Sequence, residues 1–276
     1  MEVKKLFITL LMACPAAGLL AQQPVKSSAQ DARQLKKEER RARINQLIKQ
    51  EEEGALIYQK QGAFGFKFNT DGWGMFYEHG KYKTLTNTSL WWLELGERKH
   101  PKEEKVPTLS ASSGFLIISS YIYGKRNNFY YLKAGLGRQT LIGGKGNKNG
   151  VAVSAIYGGG LSLGMLKPYY VEIENPNTGR REEIKYDNND SLFLDPTIIV
   201  GRGGLTKGFG EMKFVPGVHV RTALRFDYGR FNELLSALEV GLNAEYYSQN
   251  MPILLMNKEK KFFFNAYVAL TFGRRK

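Results

Sequence analysis

The stretch Phe214–Tyr247, FVPGVHVRTALRFDYGRFNELLSALEVGLNAEYY, decides the fold of this chain. Its first half alternates between two kinds of residue. One set holds Val218, Val220, Thr222, Leu224, Phe226 and Tyr228, and the other holds Gly217, His219, Arg221, Ala223, Arg225 and Asp227. Because successive side chains of a strand point to opposite faces, this period of two predicts a strand with one apolar and one polar face.

The same alternation recurs along the chain. In the second half of the stretch, Leu238, Val240 and Leu242 alternate with polar or small residues, and Phe264–Phe272 repeats the pattern near the end. Eight segments are predicted as strands on this basis: 56–69, 72–79, 82–98, 128–140, 150–166, 212–228, 232–248 and 261–273. Two weaker segments, 114–123 and 192–200, would raise the count to ten. Both counts are even, and the sequence does not choose between them.

The composition of the polar face separates a closed barrel from a soluble β-sandwich. A sandwich shows water a face of Lys, Glu, Thr and Ser. Here Gly and Ser fill that face in Val151–Met165, whereas Arg, His, Glu and Asp fill it in Phe214–Tyr246. Large charged side chains opposite small ones are typical of a narrow closed barrel. The predicted fold is therefore all-β, an antiparallel transmembrane β-barrel of eight or ten strands over residues 54–276.

The N-terminal segment predicts export from the cytoplasm. Residues 1–21 have the form of a signal peptide, with a basic start at Lys4 and Lys5, an apolar stretch over Leu6–Ala13 and a small-residue end at Ala21. A second interpretation reads the residues before Cys14 as a lipoprotein box, which would leave Cys14 lipidated. Beyond residue 21 no apolar run approaches the about 18–20 residues of a transmembrane helix. The predicted location is the outer membrane of a Gram-negative bacterium.

Residues 22–53 differ in character from the barrel. They form a polar linker followed by Asp31–Glu53, which is rich in helix formers and carries a thin apolar stripe: Leu35, Ile44, Leu47 and Ile48. We expect a short periplasmic helix that either docks on an envelope protein partner or acts as a charged spacer. The chain has 40 Lys+Arg against 26 Asp+Glu, a net charge of +14. Export argues against nucleic acid as the counter-charge and favours outer-membrane lipids and lipopolysaccharide.

The signal peptide, the strands rich in Gly and aromatic residues, and the ending Ala266–Lys276 resemble the small outer-membrane barrels of the OmpA-type superfamily, in the form common in Bacteroidota. The stretch Phe214–Tyr247 is similar to uncharacterised members. The resemblance covers about residues 55–276 and implies location and fold, with almost nothing about activity. One departure is that Gly273-Arg274-Arg275-Lys276 follows the usual terminal aromatic residue, Phe272.

The polar face defines the candidate site. It is predicted as an interior polar network of seven residues: His219, Arg221, Arg225, Asp227, Glu239, Asn243 and Glu245. A catalytic interpretation of His219 needs a nucleophile beside it, and His219-Val220-Arg221 supplies none. Since charges in a low-dielectric interior must be paired, an ion-pair network is the better interpretation. No catalytic, cofactor-binding or metal-binding residue is predicted.

A set of aromatic residues is predicted to lie at the headgroups as interface belts: Trp73, Trp91, Trp92, Tyr169 and Tyr170. The predicted function is a structural or accessory subunit of an envelope complex, whose narrow interior is filled by side chains. Two alternatives remain open at this point: an intramembrane enzyme acting on lipid A or phospholipid, and a narrow channel.

Overall fold

The structure is a computed structural model that describes residues 34–42, 59–84, 86–112, 115–145, 150–186, 191–229 and 233–276. Residues 34–42 are helical and exposed on all sides, and this segment is a unit separate from the rest of the chain. The predictions for the signal peptide, for Cys14 and for the rest of the helix over 31–53 lie outside the described residues.

Eight long strands close into an antiparallel barrel. They are β1 (Lys60–Asn69), β2 (Gly72–Tyr82), β3 (Asn87–Arg98), β6 (Asn127–Gly143), β7 (Ala152–Pro168), β11 (Lys213–Asp227), β12 (Leu234–Met251) and β13 (Lys260–Arg275). Their order around the barrel is β1-β13-β12-β11-β7-β6-β3-β2. The all-β fold class and the eight-strand count are confirmed.

The alternative count of ten strands is wrong. Segment 114–123 does contain β5 (Phe115–Ile122), but β5 pairs only with β4 (Lys105–Ser112) in a separate hairpin. Segment 192–200 divides between a 3₁₀ helix, Ser191–Leu194, and β10 (Ile199–Arg202). β10 belongs to a small sheet with β8 (Tyr170–Glu174) and β9 (Arg181–Lys185). β8 and β10 also bury one face, so they show the alternation of a barrel strand.

The two ends of the barrel differ in the length of their connections. β1 starts and β13 finishes at one end, where the connections 83–86, 144–151 and 228–233 are short. At the other end, connections 99–126 and 169–212 are long. Outer-membrane barrels have short periplasmic turns and longer extracellular loops, so we refer to these as the periplasmic end and the outer end.

The two long connections fold into a body of their own, which we call the outer cap (residues 99–126 and 169–212). Its core is apolar and formed by side chains of both connections: Tyr121, Tyr169, Val171, Ile173, Phe193 and Ile199. The cap is tied to the next outer connection by a bridge between Lys125 and Leu254. A hydrogen bond from the backbone N–H of Tyr169 to the carbonyl of Arg126 joins the bases of its two connections (3.0 Å).

None of the helices among the described residues is long and apolar enough to cross a membrane.

Candidate functional site: the polar barrel interior

All seven residues predicted for the interior are buried. His219, Arg221, Arg225 and Asp227 lie on β11, and Glu239, Asn243 and Glu245 lie on β12. The two strands are neighbours, and their register pairs three sets of inward-facing residues: His219 with Glu245, Arg221 with Asn243, and Arg225 with Glu239. The strand period therefore places these side chains in the lumen as the sequence predicts. Their ionic partners are mostly on other strands.

The cluster nearer the periplasmic end is centred on Arg225. Its Nη1 lies 2.5 Å from Glu78 Oε1, and its Nη2 lies 2.7 Å from Glu239 Oε2. Tyr267 donates its hydroxyl proton to the other oxygen of Glu239 (2.5 Å), and Arg221 Nη2 lies 3.5 Å from Glu78. Arg225 binds both oxygens of Glu78 through its two Nη atoms, which is the bidentate geometry that makes such pairs strong. The same guanidinium also joins this carboxylate of β2 to Glu239 of β12.

The cluster nearer the outer end is a chain of alternating charges. Glu94 lies between the ammonium groups of Lys67 (2.5 Å) and Lys133 (3.3 Å). The ammonium group of Lys133 also lies 2.5 Å from Glu245, and Glu245 lies 2.7 Å from Arg98 Nη2. The chain ends at Asp71, in the turn after β1, which lies 3.0 Å from Arg98 Nε. Burial raises the pKa of Asp71, and the neighbouring Arg98 opposes that rise.

Two of these ion pairs span the full width of the lumen. In the barrel order β2 and β11 are four strands apart in either direction, and so are β3 and β12. The pair Glu78–Arg225 joins the first two strands, and the pair Arg98–Glu245 joins the second two. Both pairs therefore connect diametrically opposite walls, at two different heights.

The indole of Trp92 fills the lumen between the two clusters. It is only 1% exposed, and the guanidinium carbon of Arg221 lies 4.0 Å from its ring centroid. The neighbouring strands β6 and β7 carry glycines beside it, where an added Cβ would lie 2.3 Å from the indole at Gly135 and 2.8 Å at Gly158. The large indole fits because the neighbouring glycines have no side chains.

His219 contacts a serine that sequence reasoning missed. Ser162 Oγ lies 3.1 Å from His219 Nδ1, and Trp92 Nε1 lies 3.3 Å from His219 Nε2. An indole N–H can only donate, so Nε2 must be the acceptor and Nδ1 must carry the proton. His219 then donates to Ser162. This is the reverse of the polarity that a general base needs to activate a serine.

Asp227 and Asn243 lie apart from these clusters. Asp227 is at the periplasmic end of β11, where Oδ2 lies 2.5 Å from Arg275 Nη2 and Oδ1 accepts the backbone N–H of Gly229 (2.9 Å). It therefore ties the last strand to β11 across β12. Asn243 is buried beside Arg221 on the neighbouring strand, and its register partner on β13 is Asn265.

Only two of the five predicted interface aromatics lie on the outer wall of the barrel. Trp73 and Trp91 point outward and are 43% and 44% exposed, so they remain candidates for headgroup belts. Trp92 and Tyr169 are not interface residues, because Trp92 is inside the lumen and Tyr169 is in the core of the outer cap. Tyr170 lies in β8 of the cap and donates its hydroxyl proton to Glu211 (3.0 Å).

The outer wall of the barrel is apolar around its circumference. Large hydrophobic side chains stay exposed on every strand, for example Phe66, Tyr77, Leu95, Leu136, Leu161, Val220, Leu242 and Val268. Soluble monomers rarely expose a continuous apolar surface of this extent. A closed barrel with an apolar exterior and a charged interior is the architecture of outer-membrane proteins.

The chain is an eight-stranded outer-membrane β-barrel.

Three solved structures of outer-membrane barrels are among those to which this chain is similar. Neisserial surface protein A is 9% identical and matches 78% of this chain and 94% of its own, with a TM-score of 0.35. Ail of Yersinia pestis, in complex with the heparin analogue sucrose octasulfate, is 10% identical over 80% of this chain and 100% of its own, with a TM-score of 0.34. The N-terminal barrel domain of Pseudomonas aeruginosa OprF is 12% identical over 79% and 99%, with a TM-score of 0.34.

At these identities and TM-scores the likenesses carry no argument about activity or family. No family model and no curated protein sequence matches the chain.

Proposed function

We propose that this protein is a non-conducting, non-enzymatic outer-membrane barrel that serves as a structural or accessory subunit of an envelope complex. The observation that carries the proposal is the pair of ionic contacts between opposite walls, Glu78–Arg225 and Arg98–Glu245. An ion passing through would have to separate these buried charges, and each separated charge would be left uncompensated in a low-dielectric interior. An eight-stranded barrel is also just wide enough for its side chains to fill.

Conductance in planar lipid bilayers tests this first element. The wild-type barrel is expected to give no resolved open state, provided that heat-modifiable migration on gels shows the reconstituted protein to be folded. A folded protein that opens reproducible, discrete channels would contradict the proposal. The narrow-channel alternative would then take its place.

The enzyme alternative depends on Ser162 and His219, the one serine–histidine contact among the described residues. Both are buried in the lumen, and the donor role of Trp92 leaves the wrong nitrogen of His219 facing the serine. We therefore expect lipid A and phospholipid mass spectra to be the same in cells that carry wild type, S162A or H219A. A lipid product present with wild type and lost in both variants would favour the enzyme.

The accessory role depends on the N-terminal arm. Helix 34–42 is exposed throughout, and Leu35 of the predicted apolar stripe is 59% exposed. A fully buried aliphatic side chain contributes about 1.5–3 kcal/mol, so a stripe of four such residues can stabilise a contact with a partner helix or domain. It contributes nothing to the hydrogen bonds that close the barrel.

Deletion of residues 31–53 is the matching experiment. The deleted protein should still insert and show heat-modifiable migration, while the protein that co-purifies with wild type from native outer membrane should be lost. A control variant keeps the length and composition of the segment but shuffles its order, which destroys the stripe. If the same partner still co-purifies with both variants, the arm is not the docking element.

A further inference from the structure

A cavity of about 740 Å³ lies at the outer end of the barrel, beneath the outer cap. Its floor is the outside of the barrel wall, formed by outward-facing residues of β3, β6 and β7: Glu97, Asn128, Tyr130 and Lys167. Its roof comes from both parts of the cap, with Lys105 and Ser119 on one side and Arg202–Leu205 on the other. The cavity is thus outside the lumen and separate from the polar network described above.

The lining of this cavity is strongly basic. Six cationic side chains line it, namely Lys99, Lys105, Lys125, Lys167, Arg202 and Lys207, and Glu97 is the one acidic residue among the lining side chains. Two of the six have partners: Lys125 lies 2.9 Å from Glu103, and Lys207 pairs with Glu183. In the part of the chain that the structure describes, the other four have no carboxylate within ion-pair distance.

Lys167 shows most clearly that the cavity lacks acidic partners for its cations. It is only 5% exposed, and its ammonium group donates to the carbonyl of Leu205 and lies 4.1 Å from the ring centroid of Phe209. A carbonyl and a ring face partly replace water around this cation without neutralising it. A desolvated cation beside Arg202, with no acidic partner among the described residues, is the electrostatic setting in which an anion binds well.

The position of the cavity along the wall indicates where that anion comes from. The strand register places Asn128 beside Lys167 in one outward-facing row. Two rows closer to the middle of the barrel, the outward-facing side chains are Leu95, Leu132 and Leu163, which pair across the same three strands. A basic cleft thus lies directly above a lipid-facing leucine surface. That order matches the headgroup and acyl chains of a lipid in the outer leaflet.

We propose that this cleft binds the phosphomonoester group of a lipid headgroup, with Lys167 and Arg202 as its main ligands and with the acyl chains lying on the leucine row. This proposal goes beyond the function proposed above, because a structural barrel that neither conducts ions nor catalyses a reaction does not require a specific lipid-binding site. Lys99 and Lys105 complete the positive lining, and the hydroxyl groups of Ser119 and Ser120 supply further hydrogen-bond donors at the roof.

Isothermal titration calorimetry on the folded full chain in a maltoside detergent tests the proposal. The titrants are dihexanoyl phosphatidic acid, dihexanoyl phosphatidylcholine and inorganic phosphate. Phosphatidic acid should bind more tightly than both of the others. In the double variant K167Q/R202Q its affinity should fall by about tenfold or more, since each charge-assisted contact is worth roughly that factor.

Two further variants separate a built site from general attraction. R180Q/K213Q removes two exposed cations at the outer end that do not line the cavity, so its affinity for phosphatidic acid should equal that of wild type. K167R/R202K keeps both charges and should restore most of the binding. Heat-modifiable migration establishes that each variant is folded.

Three results would overturn the proposal. Equal losses in K167Q/R202Q and R180Q/K213Q would show that total charge, and not the cleft, governs binding. Equal affinity for phosphatidylcholine would show that the phosphomonoester is not recognised. Inorganic phosphate binding as tightly as phosphatidic acid would place the source in solution and would remove the lipid from the assignment. Because none of these readouts involves conductance or the N-terminal arm, each can fail while the proposed function stands.

Discussion

The barrel lumen and the outer cap differ in the side chains they bury, although both are built from antiparallel strands. The lumen buries many charged groups, such as Glu78 and Arg225, beside apolar ones such as Trp92. The core of the cap is apolar, as in Phe193 and Val171. The difference follows from what surrounds each part, because the barrel meets lipid and the cap meets water. Because a barrel strand turns its apolar face to lipid, its polar face points into the lumen. Each charge buried there requires a partner of opposite charge.

The largest expected effect comes from breaking the pair that spans the lumen. R225A leaves Glu78 and Glu239 buried without their shared guanidinium, so the free energy of unfolding should fall by about 3–5 kcal/mol. The measurement is the midpoint of urea unfolding of the barrel in lipid vesicles, followed by tryptophan fluorescence. The exposed control R180A should leave the midpoint unchanged.

A quadruple variant sharpens the interpretation. Arg221 also lies within ion-pair distance of Glu78, so Glu78, Arg221, Arg225 and Glu239 are replaced together by Met. This change removes all four charges of the cluster, so most of the loss seen with R225A should be recovered. If the quadruple variant is as unstable as R225A, the loss comes from packing around the guanidinium, and the contrast between lumen and cap would need another cause.

In the cap the corresponding change is F193A. Phe193 is 1% exposed, and emptying such a site costs about 3–5 kcal/mol, here confined to the cap because the side chain packs only within that cluster. Trypsin should therefore cleave connections 99–126 and 169–212 faster, while the urea midpoint of the barrel stays the same. L192A alters a more exposed residue of the same 3₁₀ helix and should have little effect on cleavage.

A smaller effect is expected where the lumen has no spare volume. In G135A the new methyl group would lie 2.3 Å from the indole of Trp92, and overpacking of this kind costs about 1–3 kcal/mol. G143A, near the end of the same strand, meets no atom within 4 Å and serves as the matched control. Equal urea midpoints for both variants would show that Trp92 can move, and that the lumen is looser than the neighbouring glycines indicate.

The smallest effect is expected at the surface of the cap. E183Q removes the partner of Lys207, a partly exposed pair of the kind that contributes at most about 1 kcal/mol. Cleavage of the cap by trypsin should rise slightly over that of E174Q, which neutralises an exposed carboxylate nearby. A loss as large as that of F193A would mean that surface charge, and not the apolar core, holds the cap together.

The barrel strands could be predicted because lipid imposes a period of two over ten or more residues. In the cap, β8 and β10 obey the same period over four or five residues. β5 is a short run of apolar, serine and tyrosine residues, so its sequence does not say which strand it pairs with. What separates these cap strands from barrel strands is pairing: β5 pairs with β4 and β10 with β8, and pairing is a property of the whole chain.

The candidate site was predictable on one wall only. Arg225 and Glu239 stand out because their strands are adjacent in sequence and strongly alternating. Glu78 lies 147 residues from Arg225, and only closure of the barrel brings the two together. The inward position of Trp92, however, could have been predicted from the adjacent residue. It follows Trp91 directly, and consecutive residues of a strand cannot both face lipid.

The seam of the barrel sets a condition on its biogenesis. Gln61–Asn69 of the first strand pair with Tyr267–Arg275 of the last, so the cylinder cannot be completed until residues 267–275 have left the ribosome and crossed the inner membrane. Until then both strands carry unpaired edges, which are templates for aggregation. Closing a loop of this length is also slow. The periplasmic lifetime of the open chain, more than the stability of the finished barrel, is where quality-control proteases and chaperones would act on this protein.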